Sequence, residues 1–292
     1  KMKPPIFEYF RPKSIEEAVA VKAAHDYSAI LAGGQSLIPT MNFRIANPTA
    51  VIDISKIDSL AEYRIDDSQI VIGAMVRQRD IELSDSVYKV HPLIRETLEH
   101  VAHVPIRCRG TVAGSLAHAD AAAELPALLL VSNGCVVAHS TSGARIIDAN
   151  ELFQFHMTTS IADNEIITEV RIPVMHEDAG WAFLEFTRRH GDYAVAGVAV
   201  ILRFSEDGIC EESSIASCGI GSRAVRLPEA EAVLLGKKLD SNIINEALQA
   251  GKEYVSAADD THATTEFRQH VLSTILSRAI NIAKSRARYG SE

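Results

Sequence analysis

Residues 28–36 read Ser-Ala-Ile-Leu-Ala-Gly-Gly-Gln-Ser, a short apolar run that stops on paired glycines. Four or five apolar residues ending in a turn suit a buried strand better than a helix. Paired glycines allow positive φ and leave the main chain open to close approach. Successive N–H groups in such a turn form a concave nest for anionic oxygens, and Ser36 adds a hydroxyl donor. A second stretch repeats this chemistry: Arg109-Gly110-Thr111-Val112-Ala113-Gly114-Ser115, with Arg107 just upstream. It leads into Leu116-Ala117-His118-Ala119-Asp120-Ala121-Ala122-Ala123-Glu124-Leu125-Pro126. Polar groups in so alanine-rich a run need partners if they are buried. A bound ligand carrying hydroxyls would supply them, although His118 and Asp120 could equally satisfy each other. Either loop alone could also be an ordinary turn.

Working outward, Ser14 followed by Glu17 is a capping-box pattern and predicts a helix over 15–24. The run Val51-Ile52-Asp53-Ile54 predicts a strand beside 28–32 in a small sheet, and 70–73 opens a new region. Apolar spacing predicts a helix over 92–102. Residues 104–120 show neither period and are expected to be irregular backbone. A buried helix over 121–131, interrupted by Pro126, is expected next, followed by strands at 135–139, 144–148 and 166–172. Interruptions near 175–180 mark a boundary. Beyond it come strands at 181–187, 193–204 and 209–218, then helices at 228–235, 242–256 and 264–288. Strands followed by helices give an α+β domain with helices on one face of an antiparallel sheet. The expected divisions are 1–56, 57–176 and 177–292.

The 292 residues carry 47% hydrophobic and 23% charged residues, with a net charge of -9, the balance of a globular protein. That charge argues against nucleic-acid binding, which needs clustered cations. No run is long and apolar enough to span a bilayer. The opening Lys1-Met2-Lys3-Pro4-Pro5 has no apolar core of a signal peptide, so a cytoplasmic location is expected. Cys108, Cys135, Cys210 and Cys218 form no CxxC pair, which speaks against a zinc or iron–sulfur site in this chain. His100, His103 and His118 lack an HExxH pattern and no metal site is expected. Gly219-Ile220-Gly221-Ser222-Arg223-Ala224 matches a dinucleotide fingerprint, but Pro228 falls where its helix should already run. A tight turn is the better reading there. No G-x-S-x-G elbow is present. Lys284, Arg286 and Arg288 complement a helix C-terminus.

The order of several segments carries a resemblance. They are Phe7-Glu8-Tyr9, residues 32–36, residues 111–115, His118-Ala119-Asp120 and Asn164-Glu165-Ile166-Ile167 through Pro173. Arg188-Arg189-His190-Gly191-Asp192-Tyr193-Ala194 and Arg226-Leu227-Pro228-Glu229-Ala230-Glu231 follow. Together they resemble the FAD-binding medium subunits of molybdenum hydroxylases, the family of the carbon monoxide dehydrogenase medium subunit and the xanthine dehydrogenase flavin domain. The resemblance implies a two-subdomain FAD-binding domain of the vanillyl-alcohol-oxidase/PCMH type, followed by the C-terminal α+β domain. It implies that Ala32, Gly33, Gly34, Gln35 and Ser36 surround the pyrophosphate, with Thr111, Ala113, Gly114 and Ser115 closing from the other side. Val101 would sit near the adenine, His118, Asp120 and Glu124 near cofactor hydroxyls, Ile167 against the cofactor and Tyr193 near the isoalloxazine. A Cβ at Gly34 or Gly114 would block backbone approach. Glu124 stands where many relatives have aspartate, and Val-Ala-Gly replaces Ile-Gly-Gly, so Ala113 must tolerate its backbone conformation.

By the same resemblance, the chain would take electrons from a small [2Fe–2S] subunit and pass them to an external acceptor. A large molybdenum-cofactor subunit would carry substrate oxidation, whether of carbon monoxide, an N-heterocycle or an aldehyde. Two alternatives stay open: a free-standing FAD-dependent oxidase, and a flavin-free chain kept for assembly contacts.

Overall fold

The computed structural model describes residues 2–257 and 259–290. Ser14 caps the first helix, Ile15–Ala24, accepting from the Glu17 N–H. The Glu17 carboxylate reaches back to the Lys13 N–H at 2.7 Å. This helix connects two strands of a small parallel sheet, Glu8–Phe10 and Ser28–Leu31, with Ala50–Asp53 between them. Every residue of Ala50–Asp53 is buried, as expected for a parallel strand covered on both faces. The apolar run of residues 28–31 thus delivers Gly33 and Gly34 to the strand's C-terminal end.

The second sheet is antiparallel, in the order Tyr63–Ile65, Gln69–Gly73, Ile166–Pro173, Cys135–Ser140, Gly143–Asp148. Between Gly73 and Cys135 the chain leaves the sheet as a run of short helices. Here two expectations need correction. Residues 104–120 are irregular only in part: they contain the helices Val104–Arg107 and Val112–His118, joined by residues 108–111. These are too short to display a hydrophobic period. Nor does Pro126 interrupt Glu124–Val131, because it lies in the helix's first turn, where no intrahelical N–H bond is lost.

The third sheet is antiparallel, ordered Gly180–Phe186, Ala196–Phe204, Cys210–Cys218, Val225–Arg226. The strand anticipated from 193 begins only at Ala196, and Val225–Arg226 was not foreseen. Period-two alternation gives this sheet two occupied faces. Ala182, Val198, Val200 and Leu202 pack with the helices Pro228–Leu234, Ser241–Lys252 and Thr265–Arg286. Phe183, Ala199, Ala216 and Cys218 instead join the core of the preceding sheets. The sheet is therefore a wall shared by two cores, and the next inward residue after Phe183 is Glu185.

Candidate functional site

The two glycine loops meet. A Cβ on Gly33 would lie 2.5 Å from the Arg109 carbonyl oxygen and 2.8 Å from the Gly110 Cα, so the backbones touch only because position 33 has no side chain. Gly34 supplies the turn with φ +74, a conformation costly for other L-residues. The second loop is held from behind by Arg77 and the start of the Gln78–Leu83 helix. Gln78 donates from its backbone N–H to the Gly110 carbonyl at 2.9 Å and from Nε2 to the Thr111 carbonyl at 3.3 Å. Arg77 also donates to the Arg109 carbonyl. Arg107 anchors the approach to this loop. Its guanidinium forks onto Glu82 at 2.7 and 3.0 Å and donates to the Val101 carbonyl at 2.8 Å.

Thr111 caps the Val112–His118 helix by accepting from the Gly114 N–H at 2.9 Å. A Cβ on Gly114 would first meet the Thr111 Oγ1, at 2.7 Å. This refines the expectation for Gly114, whose immediate constraint is its own cap. Ala113 sits within the helix and is not among the positive-φ residues, so alanine costs no backbone strain there.

Along these loops runs one cleft of about 1370 Å³, larger than the roughly 300–1,000 Å³ typical of small-molecule pockets. It brings together every residue anticipated from sequence: Ala32, Gly33, Gly34, Gln35, Ser36 and Val101 from the first half, then Thr111, Ala113, Gly114, Ser115, His118, Asp120, Glu124, Ile167 and Tyr193. Asp120 does not pair with His118. Its carboxylate accepts from the Ala122 N–H at 2.9 Å. Burial lowers the His118 basicity. Burial, then the Glu185 charge, pushes the Glu124 carboxyl up to about 8.

Tyr193 is 64% exposed although protein surrounds it on several sides, because solvent reaches it through the open cleft. That enclosure, then the charges of Asp120 and Glu124, raise its phenol. Its segment is clamped from two directions. Arg188 donates to the carbonyls of Thr261 and His262 at 2.8 and 2.7 Å. Buried Arg268 donates to Val195 and Gly219 carbonyls at 2.8 and 2.6 Å and pairs with Asp260 at 2.8 Å.

Other lining residues escaped the sequence reading: Lys22, Gln78, Asp163 and Arg268. They arrive singly from distant elements, and no local pattern marks them. The Gln78 Oε1 is a buried acceptor without a protein partner on the cleft lining. An orphaned acceptor, a glycine cradle and carboxyls deeper along the same cleft fit an elongated ligand with both anionic and hydroxyl-bearing parts. FAD is such a molecule. The apparent fingerprint at 219–224 is a turn joining Cys210–Cys218 to Val225–Arg226.

Residues 5–175 match the family model described as the FAD binding domain in molybdopterin dehydrogenase, and 181–283 match the CO dehydrogenase flavoprotein C-terminal domain. The chain belongs to the FAD-binding medium subunits of the molybdenum hydroxylases. It is 41% identical over 288 residues to the 6-hydroxypseudooxynicotine dehydrogenase complex subunit alpha of Paenarthrobacter nicotinovorans, covering 98% of this chain and 97% of that one. It is 37% identical to the caffeine dehydrogenase subunit beta of Pseudomonas sp. strain CBB1, covering 98% and 97%. Among solved structures, a Hydrogenophaga pseudoflava carbon monoxide dehydrogenase chain superposes with TM-score 0.95 at 35% identity, covering 98% and 100%. As a medium subunit of this family, the chain is the flavoprotein component of an oxidoreductase, and its relatives work within heteromeric complexes. Among the described residues no helix is long and apolar enough to cross a membrane, and no cluster of side chains could hold a metal ion.

Proposed function

We propose that this subunit receives electrons from a [2Fe–2S] partner into FAD held in the cleft and delivers them to an external acceptor. Substrate oxidation then occurs on a large molybdenum-cofactor subunit. The supporting observation is a dinucleotide-sized cleft in a chain whose four cysteines lie apart: Cys210 and Cys218 buried, Cys135 half-buried and Cys108 exposed. Iron–sulfur clusters need several thiolates together, so electrons arriving here come from another polypeptide. Bound FAD supplies the redox group, exchanging electrons singly or in pairs, while the protein supplies position, electrostatics and access.

In this reading Gly33, Gly34, Gln35 and Ser36 hold the pyrophosphate against Thr111, Gly114 and Ser115. Val101 flanks the adenine, Glu124 meets cofactor hydroxyls or another polar edge, and Ile167 packs along the length. Residues 1–56 and 57–176 are the two halves of the grip, and 177–292 close its far end in a cytoplasmic complex. The purified chain should show a flavin absorbance spectrum that bleaches only when partner subunits and their substrate are added. Bleaching by substrate alone would replace this reading with that of a free-standing oxidase.

Tyr193 shapes the exposed end. An aromatic contact contributes about 0.5–1.5 kcal/mol, so Tyr193→Ala should change the flavin reoxidation rate roughly two- to tenfold while FAD content stays near wild type. Stopped-flow reoxidation checks this, and unchanged kinetics would remove Tyr193 from the acceptor's path.

A further inference from the structure

Behind the cleft wall lies a group of ionisable side chains short of positive charge. Glu124 is 6% exposed, at the first position of the Glu124–Val131 helix, and lines the cleft. Glu185, on Gly180–Phe186, has a side chain only 5% exposed and meets His100 Nδ1 at 3.2 Å through one oxygen. Its other oxygen is buried without a partner. Asp120, from the 119–123 connection, is 7% exposed. The thiol of Cys218 is also enclosed here: a Cβ on Gly197 would meet both the Cys218 Sγ and the Glu185 Cβ. Tyr193 lies near enough for Asp120 and Glu124 to raise its phenol.

Three buried carboxyls thus share one histidine, His100, which Glu96, itself paired with Arg286 at 2.7 Å, also faces. Like charges in a poorly solvated site cannot all ionise. One Glu185 oxygen is engaged by His100, and the Asp120 carboxyl accepts a hydrogen bond from the Ala122 N–H. Glu124 has neither a cation at contact nor a hydrogen-bond donor from another residue, so the surplus proton belongs there. A protonated acid donates a hydrogen bond, whereas a carboxylate only accepts.

We infer that Glu124 faces the cofactor as a neutral carboxylic acid, donating one hydrogen bond to an acceptor atom of FAD, and that cofactor affinity falls when this proton is lost. The inference rests on the assignment of the cleft to FAD. It makes Glu124 a positioning residue whose protonation is set by its burial and then, from the far side of the wall, by Glu185 on the C-terminal sheet. Burial and the Glu185 charge place its ionisation near 8. His100, whose basicity is raised chiefly by its bond to Glu185, and Cys218, raised well above the ordinary thiol range by burial, also face this centre. A pH response must therefore be assigned by substitution.

The test is FAD binding to the flavin-stripped full chain, followed by quenching of FAD fluorescence from about pH 6 to about pH 10. If only the neutral acid binds, the dissociation constant is level at lower pH and rises toward about tenfold per pH unit above the inflection. Glu124→Gln keeps a neutral donor and should bind with a level profile. Glu124→Asp keeps the proton and should retain the slope. A level wild-type profile, or Glu124→Gln with the wild-type slope, would overturn the inference while leaving the chain a flavoprotein. Failure of the wild-type chain to bind FAD at any pH would overturn both readings.

Discussion

Arg107→Met should destabilise the chain by about 3 kcal/mol, near the low end for breaking a buried ion pair. Both partners are almost inaccessible, with side chains 7% and 6% exposed for Arg107 and Glu82. The fork satisfies two carboxylate oxygens at once, a geometry that strengthens such pairs. Methionine matches the stem but removes both bonds, and it also orphans the Val101 carbonyl. The full penalty is moderated because Arg79 still reaches one Glu82 oxygen, at 2.6 Å. Arg107→Lys should recover only part of the loss, since an ammonium cannot make the fork. Thermal unfolding of the flavin-free proteins measures the effect, and a loss below about 0.5 kcal/mol would mean that the pair behaves as a solvated surface bridge. Arg107 joins the end of the Pro92–His100 helix to the approach of the second glycine loop. The variant should therefore also retain less FAD than wild type.

The distribution of what sequence revealed follows from the range of the forces involved. Paired glycines and a capping box act within a few residues, so Gly33, Gly34 and Ser14 were recognisable locally. In the C-terminal sheet Ala196–Phe204 announced itself because both its faces are largely covered and its apolar run is long, whereas the two-residue Val225–Arg226 gave no such signal. By contrast, Val104–Arg107 and Val112–His118 contain one or two turns each. Their helicity depends on Thr111 as a cap and on tertiary support at Gln78, none of which produces a period. Gln78, Arg188 and Arg268 line the cleft through contacts to chain segments far away in sequence. The same holds for Glu185, whose inward direction depends on the register of Gly180–Phe186 against Ala196–Phe204. A carboxylate on a strand is unremarkable until the register places it against His100.

Gly33→Val should yield folded but nearly colourless protein. The new Cβ alone would fall inside contact distance of the Arg109 carbonyl oxygen and the Gly110 Cα, and these are backbone atoms that cannot rotate away. The loops must part, and parting them widens the place where, in the proposed grip, both backbones would close on the pyrophosphate. Overpacking of this kind costs about 1–3 kcal/mol, less than a domain's typical stability of about 5–15 kcal/mol, so the fold should survive. Retention of less than about a tenth of the wild-type flavin corresponds to more than about 1.4 kcal/mol of lost binding. The flavin absorbance relative to protein absorbance reports this directly, and far-ultraviolet circular dichroism verifies that the chain is folded. Gly33→Ala places the same Cβ with nothing beyond it and should show most of the same loss. A valine-like loss at alanine would locate the cause in the contact between loops. Full flavin in both variants would mean that the cofactor does not depend on the loops touching, and the two-loop grip would have to be abandoned.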